Sequence, residues 1–119
     1  MVKLCADLKP NEILQTYYSL GLGRYINEIF ISTREGYLPE FKNLSLREKV
    51  SLCYGYGLQT TLIQLISAYS IIFSEGIYRP LKLIMNSSEG EEKRILSKEN
   101  AMHIKKILLQ AVDTGTGYR

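Results

Sequence analysis

The residues of this chain that could take part in acid–base or nucleophilic chemistry do not form a catalytic group in the sequence. His103 is the only histidine, and no Asp or Cys stands near it at the spacing of a metal or catalytic partner. Ser45 and Thr61 are each followed three positions later by a capping partner, Glu48 and Gln64 respectively. That spacing is typical of the start of a helix, where the hydroxyl closes a backbone donor. The sequence therefore predicts no catalytic residue.

The other chemically suggestive residues also have an ordinary structural interpretation. Glu89, Glu91 and Glu92 stand beside Lys93 and Arg94 in a polar stretch, which is more typical of a solvated turn than of paired catalytic carboxylates. We expect this segment to be a charged surface loop.

Neither the cysteines nor the glycine pairs indicate a metal or a cofactor. Cys5 and Cys53 lack metal-ligand spacing, and we expect them to be small buried hydrophobic residues. The Gly-x-Gly sequences at 21–23 and 115–117 lack the strand–turn–helix context of a dinucleotide site. The sequence therefore predicts no metal site and no bound cofactor.

The Tyr-Gly-Tyr-Gly run from Tyr54 to Gly57 is the stretch most suited to binding. Its glycines permit a positive φ, and its tyrosines combine apolar rings with polar ends. It could be a tight connection between helices, with both tyrosines packed into the core. It could instead be a loop that forms one wall of a ligand cleft.

The element that must position this run is the helix predicted to follow it, over residues 62–73. Thr61 and Gln64 form its capping box, Gly76 ends it and Pro80 prevents its continuation. Apolar side chains cover most of its circumference, so we expect it to be buried on nearly all sides. It is too short to span a membrane. The apolar positions are Leu62, Ile63, Leu65, Ile66, Ala68, Tyr69, Ile71, Ile72 and Phe73.

Shorter elements flank this helix. Helices are predicted from Pro10, over Leu46–Leu52, and after Ser97. Extended segments at Leu81–Met85 and Arg94–Leu96 predict a small hairpin. The fold class is therefore mainly α with a short β-hairpin. The expected buried face of the last helix consists of Ala101, Ile104, Ile107, Leu108 and Ala111.

Length and composition place the chain among ordinary globular sequences. It has 119 residues, of which 45% are hydrophobic and 23% charged, and its net charge is +3. The basic residues do not cluster, which argues against a nucleic-acid partner. Because a helix that is apolar all round needs neighbours on all sides, we expect residues 1–119 to be one uninterrupted segment of a larger domain.

The order of the motifs resembles the transpeptidase domain of class B penicillin-binding proteins, in particular the cell-division D,D-transpeptidases. The matching segments are Leu20–Gly23, Arg34–Pro39, Cys53–Leu65, Ala68–Tyr69 and Gly76–Leu81. Two positions depart from the family pattern: Leu62 replaces the usual proline, and Cys53 replaces a small polar residue. The resemblance implies the helical part of the penicillin-binding transpeptidase fold, which is an α/β serine transpeptidase fold of the β-lactamase type.

The reactive motifs of that family are missing from this chain. The resemblance implies a serine in Ser-x-x-Lys, a Ser-x-Asn motif and a Lys-[Ser/Thr]-Gly motif, and none of them occurs here. The chain resembles the segment between the second and third motifs. We therefore expect it to lack transpeptidase activity by itself, because the nucleophile, the base and the oxyanion strand are absent.

What the resemblance implies for function is a scaffolding role within a septal peptidoglycan-synthesising enzyme. Tyr54, Gly55 and Tyr56 would be the substrate-binding residues beside the cleft. The partners would be the remainder of the transpeptidase domain, the stem peptide, β-lactams and other division proteins. The intact protein would lie at the periplasmic face of the inner membrane. The alternative function is a non-enzymatic helical module whose apolar helix faces a partner chain.

Overall fold

The computed structural model describes residues 5, 7–24, 35–40, 44–81, 90–115 and 117. These residues form four helices and one two-stranded sheet, which confirms the predicted class of a mainly α chain with a short hairpin. In chain order the elements are α1 (Pro10–Ser19), α2 (Leu46–Leu52), α3 (Leu62–Phe73), β1 (Ile77–Tyr78), β2 (Lys93–Arg94) and α4 (Lys98–Asp113).

The chain groups into two compact units, residues 1–65 and 66–119, and the boundary falls within α3. The expectation of a single domain segment without an internal boundary stays a prediction. No helix in the described ranges combines the length and the apolarity that a membrane span requires.

The helix starts follow the predicted local chemistry. Pro10 occupies the first turn of α1. At the start of α2, the Glu48 N–H donates to Ser45 Oγ at 3.3 Å, and the Ser45 N–H donates to the Glu48 carboxylate at 2.8 Å. The same reciprocal pair, Thr61 with Gln64, begins α3. Both predicted capping boxes are therefore confirmed.

Helix α3 differs from its prediction in how it is covered. The polar residues Gln64, Ser67, Ser70 and Ser74 form a stripe along this helix, and the stripe lies on the covered side. Gln64 is 1% and Ser67 0% exposed, Ser70 and Ser74 are half-buried, and Ile71 is buried beside them. Leu62 is 72% exposed and Ile66 51% exposed, so the expectation of burial on nearly all sides is wrong for this chain by itself. A chain of 119 residues buries a smaller fraction of its surface than a larger domain does.

The hairpin forms earlier in the chain than predicted. Ile77–Tyr78 pairs antiparallel with Lys93–Arg94. The predicted first strand, Leu81–Met85, lies outside the described residues except at Leu81, which is not in a strand. The turn that leads into β1 depends on Gly76, whose φ is +87°. A side chain there would collide with the backbone carbonyl of Leu96.

The predicted buried face of α4 is only partly correct. Ala101 is buried and Leu108 is half-buried, but Ile107 is 64% exposed and Ala111 is also exposed. The helix is apolar on a second side as well, so a period-based prediction cannot tell which side the chain covers. The exposed apolar residues on this helix are Met102, Ile107, Leu109 and Val112.

Candidate functional site

The Tyr-Gly-Tyr-Gly loop is a backbone turn that continues directly from the C-terminus of α2. The Tyr54 and Tyr56 N–H groups both donate to the Ser51 carbonyl, at 3.0 and 3.1 Å, and the Gly55 N–H donates to the Leu52 carbonyl at 2.8 Å. Gly55 has a φ of +76°, a conformation that favours glycine. The loop therefore has a defined conformation set by the last turn of the helix.

Two long-range contacts hold the position at which this loop begins. The Tyr17 hydroxyl donates to the Leu52 carbonyl at 2.6 Å. Burial raises the pKa of the Tyr17 hydroxyl, which favours the neutral form that donates this bond. The next residue, Cys53, forms a disulfide with Cys5. The N-terminal end of the loop is thus tied to two earlier parts of the first unit.

The disulfide is a feature that the sequence did not reveal. Cys5 is buried, as expected, but Cys53 is only half-buried, so that expectation is wrong for Cys53. The two residues are bonded to each other rather than packed as isolated hydrophobic residues. The two cysteines are 48 positions apart and match no cysteine motif, so no sequence signal indicated that they pair.

A second tyrosine segment reaches the same region from earlier in the chain. Tyr37 and Gln59 exchange two backbone hydrogen bonds, of 2.8 and 2.9 Å, in an isolated antiparallel bridge. Gly36 makes this approach possible, because its φ is +72° and an added Cβ would collide with the Gln59 carbonyl. The bridge places Tyr37 beside the segment that follows the Tyr-Gly-Tyr-Gly loop.

Gln64 fixes this arrangement through its side-chain amide. Its nitrogen donates to the Arg24 carbonyl at 2.8 Å and to the Glu35 carbonyl at 2.7 Å. Its oxygen accepts from the Thr61 N–H at 2.9 Å and from the Thr60 hydroxyl at 3.1 Å. A buried amide with all these partners satisfied joins the start of α3 to two loops.

These segments enclose a cavity of about 420 Å³ in the first unit. Tyr56 lines it and is 76% exposed, whereas Tyr54, 53% exposed, does not line it. Neither tyrosine packs into the core of this chain. The cavity is lined by Tyr37, Pro39, Leu44, Arg47, Glu48, Ser51, Leu52, Tyr56 and Gly57.

The charged and polar groups of the cavity suit binding rather than catalysis. Hydrogen bonds from the Ser45 hydroxyl and then from its backbone N–H hold the pKa of the Glu48 carboxyl below its usual value. The Ser51 hydroxyl donates to the Arg47 carbonyl at 2.9 Å, within its own helix. Two tyrosine rings, one guanidinium and apolar walls can hold a peptide-like ligand. Among the described residues, the lining contains no paired nucleophile and base.

The other chemically suggestive residues lie elsewhere. His103 is exposed on α4. Glu92 forms an exposed ion pair with Arg79 at 3.0 Å, which agrees with the predicted solvated segment. Glu89 lies outside the described residues. Within the described ranges, no three His, Cys, Asp or Glu side chains come together as metal ligands would.

The fold and the motif order together define a class of protein. The family sequence model of the penicillin binding protein transpeptidase domain matches residues 1–119. The chain therefore belongs to the penicillin-binding protein transpeptidase family.

Particular relatives extend this assignment. The chain is 36% identical over 125 residues to the peptidoglycan D,D-transpeptidase FtsI of Buchnera aphidicola subsp. Schizaphis graminum, covering 98% of this chain and 22% of that protein. The transpeptidase domain of Burkholderia pseudomallei penicillin-binding protein 3 superposes with a TM-score of 0.85 at 28% identity, covering 96% of this chain and 35% of that one. Penicillin-binding protein 3 from Mycobacterium tuberculosis, complexed with ampicillin, shares the fold with a TM-score of 0.77 at 21% identity, covering 84% of this chain and 24% of that one.

The chain thus spans about a fifth of the length of the Buchnera transpeptidase and about a third of the Burkholderia transpeptidase domain. These relatives confirm the resemblance seen in the motifs and do not favour the alternative of an unrelated helical interaction module.

Proposed function

We propose that this chain is the non-catalytic, cleft-flanking part of a peptidoglycan D,D-transpeptidase that cross-links stem peptides during septal wall synthesis. The observation that carries the proposal is the coincidence of family membership over the whole chain with an exposed tyrosine cavity whose described lining residues include no paired nucleophile and base. In this role the chain shapes the substrate site, and the reactive serine belongs to the remainder of the domain.

Tyr54, Gly55 and Tyr56 are the proposed substrate-contacting residues. Tyr56 supplies an exposed ring at the cavity, and Tyr54 supplies a second exposed ring on the other side of the glycine. Gly55 sets the turn that separates them. An exposed aromatic ring on a well-defined loop can contact a peptide at low entropic cost, because its side chain has few rotatable bonds.

The apolar side of α3 supports assembly with the rest of a transpeptidase domain. Leu62, Ile66, Tyr69 and Phe73 are all at least 43% exposed in this chain. Large exposed apolar areas are uncommon on independent monomers and mark surfaces that bind another structure. The remainder of the domain is the proposed cover.

The proposed setting follows from the proposed reaction. Peptidoglycan lies outside the inner membrane, so the working enzyme would face the periplasm and would meet stem peptides and β-lactams there. The Mycobacterium neighbour was crystallised with ampicillin, which supports a β-lactam as a ligand of the assembled domain. Other division proteins are further proposed partners.

A chimaera tests the role of the loop. This chain would replace the matching segment of the Burkholderia pseudomallei transpeptidase domain, and acylation by a fluorescent penicillin would be timed. We expect the chimaera to be acylated, and Tyr56→Ala to slow acylation about fivefold or more, because a stacked ring is worth about 1 kcal/mol or more. Tyr56→Phe should retain most of the rate if the ring makes the contact.

Tyr18→Ala is the matched control, because Tyr18 is also an exposed tyrosine but lies on α1 and does not line the cavity. A folded chimaera in which Tyr54→Ala and Tyr56→Ala both react at the unaltered rate would refute the assignment of these residues. Circular dichroism would show that each variant is folded.

A further inference from the structure

We propose that the disulfide between Cys5 and Cys53 positions the Tyr-Gly-Tyr-Gly loop, so that the order of the loop depends on the redox state of this pair. Cys53 is the residue immediately before Tyr54, at the point where α2 ends. A covalent bond at this residue acts directly on the loop. The inference rests on the fold of the first unit and does not depend on the proposed function.

The backbone places the two cysteines at a suitable distance for a disulfide. Their Cα atoms are 6.2 Å apart, within the usual range for bonded pairs. Cys5 is 5% exposed and Cys53 is half-buried, so one end of the bond is shielded from solvent and the other is partly accessible. The pair therefore has the location of a cross-link that is anchored in the interior and partly accessible at Cys53.

The backbone hydrogen bonds made by the loop in the described part of the chain are local. The N–H groups of Tyr54, Gly55 and Tyr56 all donate to the carbonyl groups of Ser51 or Leu52. These two residues directly precede Cys53. The side-chain contact described there is the hydrogen bond from Tyr17 to the Leu52 carbonyl. Without the cross-link, the end of the seven-residue helix α2 is held by this bond and by the packing of the buried Leu52 side chain. A helix this short is marginal without tertiary support.

Formation of the bond is a balanced exchange with a disulfide oxidant. The thiolate of one cysteine attacks a small-molecule disulfide, and one thiolate leaves as a mixed disulfide forms. The second cysteine thiolate then attacks the mixed disulfide and releases the second thiolate. Overall, two protein thiols and one disulfide RSSR give the protein disulfide and two RSH. Such exchange is favoured in an oxidising compartment.

Hydrogen exchange measured by mass spectrometry would test the positioning role. The full chain would be equilibrated with oxidised glutathione, and one half would then be reduced with a phosphine. On reduction, we expect the amides of Tyr54, Gly55 and Tyr56 to exchange at least about tenfold faster, because the constraint on their helix end is lost. The amides of α4 should exchange at an unchanged rate. Cys5→Ser should reproduce the exchange of the reduced chain without reductant.

Alkylation with N-ethylmaleimide under denaturing conditions would test the bond itself. The oxidised monomer should take up no label and should take up two labels after reduction. Two labels before reduction, or a disulfide-linked dimer, would overturn the pairing. Equal loop exchange in both redox states, or equal acceleration in the loop and in α4, would overturn the positioning role.

Discussion

Gln64 joins three separate parts of the first unit through its side-chain amide. It completes the cap of α3 and also binds the carbonyl groups of Arg24 and Glu35. Because Glu35 precedes the Gly36–Tyr37 turn, the amide indirectly holds one wall of the cavity. A buried amide has this effect only when every partner is present, since an unpaired group in the interior is costly.

Replacing Gln64 by Ala should therefore destabilise the chain strongly. We expect a loss of about 2 to 4 kcal/mol in the free energy of unfolding, because two part-buried carbonyls and one N–H lose their partner and the buried Gln64 site is emptied. Urea unfolding followed by circular dichroism would measure it. Gln59→Ala is the control, because the exposed Gln59 takes part in the bridge through its backbone. Similar losses in the two variants would contradict the role assigned to Gln64.

The capping carboxylate of Glu48 should make stability depend on pH. Its pKa is lowered in the folded chain, so its contribution is complete above the ordinary value of 4.5 and is lost as the pH falls through the lowered value. We expect the urea concentration at the unfolding midpoint of the unaltered chain to decrease as the pH is lowered from about 5 to about 3. Glu48→Gln should weaken that dependence, since an amide does not titrate. Glu40→Gln, at an exposed site outside the capping box, should leave this part of the dependence unchanged.

At the scale of the elements, α3 has two sides that behave differently. Ser67, Ala68 and Ile71 are buried on one side, whereas Leu62, Ile66 and Phe73 are exposed on the other. The Ser67 hydroxyl is buried, with no hydrogen-bond partner among the described residues. This arrangement is the reverse of that in a surface helix, whose polar residues face solvent and whose apolar residues are buried.

Matched substitutions on α3 distinguish the two sides. Ile71→Ala should cost about 2 to 4 kcal/mol of unfolding free energy, because it empties a fully buried site. Ile66→Ala removes the same atoms from a half-exposed site and should cost less than half as much. Urea unfolding of the isolated chain would measure both. Equal costs would show that the exposed side is also packed in solution.

The parts of the fold that could be predicted from sequence are those governed by neighbouring residues. The capping boxes at Ser45 and Thr61 depend on a spacing of three residues, and both formed as predicted. Which side of α3 or α4 is buried depends on which other elements pack against it. Because both helices are apolar on several sides, the sequence pattern did not predict which side is covered.

The candidate site shows the same division. The Tyr54–Gly57 loop could be predicted as a binding candidate because its consecutive residues are themselves of types suited to binding. The approach of Tyr37 and the bond between Cys5 and Cys53 depend on contacts between distant parts of the chain. No spacing in a single sequence encodes such contacts. Tyr37, Arg47 and Cys5 are therefore the residues of the site region that sequence reasoning missed.

At the scale of the whole molecule, the chain belongs to an enzyme family but lacks the reactive motifs of that family. The length of the relatives explains this difference. The chain matches the transpeptidase family along its full length but spans only about a third of the Burkholderia domain. Ser-x-x-Lys, Ser-x-Asn and Lys-[Ser/Thr]-Gly are absent from its sequence. A part that shapes the cleft while another part supplies the serine accounts for both observations.

Labelling with a fluorescent penicillin tests this account most directly. The isolated chain and the Burkholderia chimaera would be treated side by side, separated on a denaturing gel and imaged. The account predicts no covalent band for the chain alone, because it lacks the acylated serine, and a penicillin-competable band for the folded chimaera. A covalent band on the isolated chain at one label per molecule would contradict the account, as would a folded chimaera that never becomes labelled.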